Sequence, residues 1–71
     1  MFNAPEFNAV LARNNKTKED AAYILGINPA TLYRKMNGHS DFTRAEIQLF
    51  RFAFKLSATD IDNIFFAEKL A

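Results

Sequence analysis

Apolar residues along this chain recur three and four positions apart, and nowhere do they alternate with polar ones in the sustained two-residue rhythm of a half-buried strand. That pattern predicts helices and no sheet. The stripes run Phe7, Val10, Leu11; then Ala21, Ala22, Ile24, Leu25; then Leu32, Met36; then Ile47, Phe50, Phe54, helped by Ala53; then Ile64, Phe65, Phe66. Each follows a helix-start signal, in which a capping side chain accepts a bond from an orphan backbone N–H and an acid three residues on reaches back to the cap. Asn3 with Glu6, Thr17 with Asp20, Thr43 with Glu46 and Ser57 with Asp60 have this spacing. Asn28 with Pro29 supplies the remaining start, because proline at the first helical position loses no hydrogen bond. Phe2 with Phe7, Phe42 with Ile47 and Leu56 with Ile61 have the spacing of hydrophobic staples across a helix start. Asn14-Asn15, Gly26 and Asn37-Gly38 read as stops. The expected helices cover about residues 4–13, 18–25, 29–37, 44–55 and 58–67, the last fraying toward Ala71.

Composition narrows this to one small all-α domain. The chain has 71 residues, 49% of them hydrophobic, with eight phenylalanines and only two glycines and two prolines. A domain of this size buries only about 60% of the surface its unfolded chain exposes, so each core contact matters. The absence of cysteine excludes disulfides and thiolate metal sites and fits a reducing cytosol. Met1 to Val10 lacks the basic-then-apolar order of a signal peptide, and no apolar run approaches the roughly 20 residues of a bilayer span.

Chemistry for catalysis is missing. His39 is the single histidine, in a Gly-His-Ser turn, and has no second histidine or cysteine with which to hold a metal. Ser40 beside it is adjacent in sequence only, without a third group or an oxyanion hole. Asp60 and Asp62, two apart on a helix, do not face one another. The expectation is therefore no enzyme, no catalytic residue, no metal, no cofactor, no small-molecule substrate and no membrane.

The stretch Thr17 to Gly38 says more. Ala22 is a small residue where two helices cross, Gly26 permits a sharp turn, Ile27 plugs the space between the helices, and a new helix starts at once from Asn28. This is the construction of a helix-turn-helix, whose second helix can enter a DNA major groove. Net charge is only +1. Residues 1–44 hold six Lys/Arg against four acids and residues 45–71 three against four, so any basic face lies in the first half and is weak.

On Ala22 to Gly26, the run Thr31-Leu-Tyr-Arg-Lys-Met-Asn-Gly38, the Phe-Thr-x-x-Glu-Ile of residues 42–47 and the closing Ile64-Phe-Phe66, the sequence resembles the Cro/repressor-type helix-turn-helix proteins of temperate phages and Gram-positive bacteria. The resemblance spans roughly Thr17 to Phe66. It implies a five-helix, lambda-repressor-like bundle in the bacterial cytoplasm, acting in a genetic switch on a double-stranded DNA operator. It places Pro29, Ala30, Thr31, Tyr33 and Arg34 at the base edges, Lys18 on a phosphate, and Asn37, Gly38 and His39 against the DNA backbone, with Asn28 also in the DNA-binding set. Pro29 and Ala30 cannot form side-chain hydrogen bonds, so direct readout rests on Thr31, Tyr33 and Arg34. The plainer alternatives are that Arg34 and Lys35 are solvated charges and that Tyr33 covers the core rim.

Helix four carries a second signal. Once Ile47, Phe50 and Phe54 face the core, Leu49 and Phe52 fall on another side, three apart and neighbours on the helix surface. With Phe65 or Phe66 they form a candidate partner interface, because an exposed apolar patch usually marks one. The partner is expected to be a second copy of the chain or a phage repressor, the latter making the chain an antirepressor.

Overall fold

The computed structural model describes residues 1–67; the stretch 68–71, toward which the last helix was expected to fray, lies outside the described residues. The chain forms α1 (Ala4–Arg13), α2 (Lys18–Leu25), α3 (Pro29–Met36), α4 (Arg44–Phe54) and α5 (Ala58–Phe65), with no strand among the described residues. These are the five expected helices, the last three ending one or two residues earlier than the apolar pattern suggested.

The capping chemistry explains the boundaries. Thr17–Asp20, Thr43–Glu46 and Ser57–Asp60 each close a reciprocal box, with cap hydroxyl and acid both engaged. The first start differs from expectation. The Asn3 side chain accepts from the Glu6 N–H at 3.3 Å, but Glu6 does not return the bond. The Asn3 N–H donates instead to the Ile64 carbonyl at 2.7 Å, which ties the start of α1 to α5. A local box gives way here to a contact between the chain's two ends.

The core is largely aromatic. Phe7 stacks on Phe50 with ring centroids 4.5 Å apart, and Phe65 meets Phe50 edge-on at 5.7 Å. Phe2 and Phe42 close the cluster from one side and Phe54 extends it from the other. Such edge and offset pairings add about 0.5–1.5 kcal/mol each beyond the area they bury. Val10, Leu11, Ala21, Ala22, Leu25, Leu32, Ile61 and Ile64 complete the buried set. Six of the eight phenylalanines are thus absorbed, and Phe52 and Phe66 stay outside.

Two expectations are corrected. Ala53 is exposed rather than part of the inner stripe: at 100° per residue it lies within 60° of Phe50, but its short side chain near the C-terminal end of α4 is left uncovered. Phe65 is only 7% exposed and belongs to the core, so of the Phe65/Phe66 pair only Phe66 reaches the surface.

Candidate nucleic-acid interface

The α2–α3 corner is set by Gly26, which ends α2 at φ +73°, in the left-handed region that costs glycine nothing. The Ile27 N–H donates to the Ala22 carbonyl at 3.0 Å, and Ile27 packs half-buried against the core. Asn28 then caps α3 by accepting from the Thr31 N–H at 2.7 Å. Ala22 is 1% exposed, small enough for the two helices to meet over it. The expected helix-turn-helix corner is therefore present.

Helix α3 seats itself through a single fully buried side chain, Leu32. Asn28, Pro29, Ala30, Tyr33 and Arg34 are exposed and Thr31 is half-buried, so the side turned to solvent carries the predicted readers. Tyr33 is 65% exposed, more than a residue covering the core rim would be. Lys18, at the first position of α2, is exposed, as are Asn37, Gly38 and His39 in the turn after α3.

The hydrogen bonds of that turn limit what it offers to a phosphate. The backbone N–H groups of Asn37, Gly38 and His39 all close back onto α3 carbonyls, those of Tyr33, Lys35 and Arg34. The Asn37 amide nitrogen donates to the Tyr33 carbonyl at 2.9 Å. What remains for a phosphate is the second amide proton of Asn37 and the His39 ring.

Lys35 is not a solvated charge. Its ammonium donates to both carboxylate oxygens of Glu46, at 2.7 and 2.9 Å, and both side chains are about nine-tenths covered. The same carboxylate accepts from the Thr43 N–H at 2.8 Å. Glu46 therefore does two things, starting α4 and pinning the last turn of α3. Burial alone would raise its pKa, but the Lys35 hydrogen bond and the Thr43 N–H outweigh it and hold the carboxyl below its usual range. Asp20 and Asp60 are also held below the usual range, first by the backbone N–H of Thr17 and Ser57 and then by the hydroxyls of those residues.

The pair removes one cation from the solvent-exposed charges of α3. Arg34 is the exposed cation of α3, and Lys18 and Glu19 of α2 border the same hollow as Pro29, Ala30 and Tyr33. The Lys35 contact was invisible in the sequence because it joins residues eleven apart in different helices. The Thr43-x-x-Glu46 spacing revealed only half of what Glu46 does.

No group of three or more metal-ligating side chains gathers among the described residues, and no described helix is long and apolar enough to cross a membrane. On α4, Leu49 is 45% and Phe52 80% exposed.

Residues 5–38, just under half of the chain and spanning α1 to α3, match the family model described as bacterial regulatory protein, Fis family, a helix-turn-helix family. The match supports the helix-turn-helix and does not extend to the Cro/repressor group specifically. No curated protein and no solved structure matches the chain.

Proposed function

From the helix-turn-helix and its Fis-family likeness, we propose that this chain is a transcription regulator that binds double-stranded DNA, with α3 in the major groove. The observation that carries this reading is the row Asn28, Ala30, Tyr33 and Arg34, exposed along a helix that a tight turn fixes against α2. Arg34 is suited to the two acceptors of a guanine, Thr31 to a single hydrogen bond, and Ala30 to a thymine methyl. In this reading Lys18, Asn37 and His39 set register on phosphates. The setting we propose is the lysis–lysogeny switch of a temperate phage, in the cytoplasm of a bacterial host; it rests on the resemblance of the Thr31–Gly38 run and of residues 42–47.

Fluorescence anisotropy on duplexes from the intergenic region beside the gene tests it. Binding should depend on sequence and weaken as salt rises, because phosphate contacts release counterions. The Arg34→Ala variant should lose about 1–3 kcal/mol of affinity and relax specificity at one base pair. Binding indifferent to sequence, or an Arg34→Ala variant as tight as the parent, would refute the assignment.

A second reading is favoured by the exposure of Leu49 and Phe52 and by the withdrawal of Lys35 from the DNA side. In it the chain is an antirepressor that holds a phage repressor through those apolar residues. Capture of the repressor by the parent chain, lost in a folded Leu49→Asp/Phe52→Asp variant, supports this reading; capture unaffected by the variant removes it.

A further inference from the structure

The side of α4 away from the core has a composition of its own. At 100° per residue, Phe52 lies 200° from Phe50, nearly opposite the buried side, with Ala45 and Gln48 beside it. Two shallow grooves adjoin this side and share Gln48 and Arg51. One has Phe52 and Leu56 as its apolar walls and Lys55 at its rim. The other runs toward α5 over Phe42, Ile47, Ile61 and Phe66, with Arg44 at its rim.

Both grooves are rimmed by cations alone. Arg44, Arg51 and Lys55 are exposed, and no acid lines either groove. The one acid of α4, Glu46, is turned inward and neutralised by Lys35. Asp41 and Asp62, exposed on the neighbouring segments, line neither groove. Arg51 is also held in place: its Nε donates to the Leu56 carbonyl at 3.1 Å, while its Nη groups make no hydrogen bond among the described residues. A guanidinium fixed at the junction of two apolar grooves, with its outer nitrogens open, matches a carboxylate fork to fork.

We propose that this face of α4 docks an amphipathic helix of another protein, one whose apolar stripe is flanked by Asp or Glu. Helix-in-groove recognition supplies the geometry, with large apolar side chains entering the grooves on either side of Gln48 and Arg51. Charge complementarity names the partner's sign. A second copy of this chain is disfavoured here, because a two-fold contact sets the same patch against itself and brings Arg51 and Lys55 toward their own counterparts. DNA does not explain the apolar walls. A basic DNA-reading surface of another regulator has the wrong sign. The proposal does not depend on the DNA reading, since every residue lining the two grooves lies outside α2 and α3.

The test uses the full chain and two labelled synthetic helices with the same Leu/Phe stripe, one flanked by Glu and one by Lys, followed by fluorescence anisotropy. The Glu helix should bind, and the Lys helix should bind at least about tenfold more weakly, as like-charge juxtaposition demands. An Arg51→Glu/Lys55→Glu variant should reverse that order while circular dichroism shows parental helicity. Equal binding of both helices by the parent chain, or no binding of either, overturns the proposal. So does concentration-dependent self-association in sedimentation that Phe52→Asp abolishes, which would give the face to a second copy.

Discussion

Two helices of this molecule each turn one side to solvent, and they present opposite chemistry. The outer side of α3 offers hydrogen-bonding groups and one exposed cation: Asn28, Tyr33 and Arg34, with Thr31 half-buried at its edge. The outer side of α4 offers two apolar grooves that meet at Gln48 and Arg51, with Phe52 walling one of them and cations at the rim. Their anchoring differs as well. Helix α4 sinks Phe50 into the centre of the aromatic cluster, whereas α3 is held by Leu32 and by the Lys35–Glu46 pair. Exposure alone therefore does not identify a partner. The same degree of exposure suits base edges in one place and a protein helix in the other, and the kind of side chain decides between them.

The largest effect should come from breaking the seat of α3. Leu32→Ala removes the only fully buried side chain of that helix and should cost about 2–5 kcal/mol of stability in thermal or urea unfolding. Should it cost no more than a surface change, α3 is seated by something else. Next is Lys35→Met, which strands the Glu46 carboxylate and should cost about 1.5–3 kcal/mol. If Lys35 only held the helix, that variant should reduce DNA affinity no further than its loss of stability explains.

Acid should act in the same direction as Lys35→Met. Asp20, Glu46 and Asp60 are all held below their usual pKa in the folded chain, so below the carboxylate range the unfolded chain binds more protons. Their stabilisation is fully present near neutrality and is lost progressively as pH falls below about 4. Unfolding midpoints measured across that range should fall with pH, and a flat profile would contradict the bonds assigned to these carboxylates. The smallest effect belongs to α4's outer side. Leu49→Asp/Phe52→Asp should change stability by no more than about 0.5 kcal/mol per site, because neither side chain is buried. A cost of several kcal/mol would return these residues to the core.

Most of the helix boundaries were legible in the sequence because capping is local. An acid three residues after a Thr or Ser states its role without reference to the rest of the chain. The corner at Gly26 was legible for the same reason. What stayed hidden was non-local. The Asn3 N–H spent on Ile64 rather than on Glu6, the burial of Phe65 in preference to Phe66, and the ion pair that takes Lys35 from the DNA side all depend on how separate helices meet. Eight phenylalanines announced a surplus and the helical period put Phe52 outside, but only packing shows that Phe66 rather than Phe65 joins it there.

The separation of the two surfaces is tested most directly by amide chemical shifts of the labelled chain titrated with its preferred duplex. The account predicts shifts at Lys18, Asn28 to Arg34 and Asn37 to His39, with Leu49, Phe52 and Lys55 unmoved. Shifts centred on the outer side of α4, or silence along α3, would contradict it.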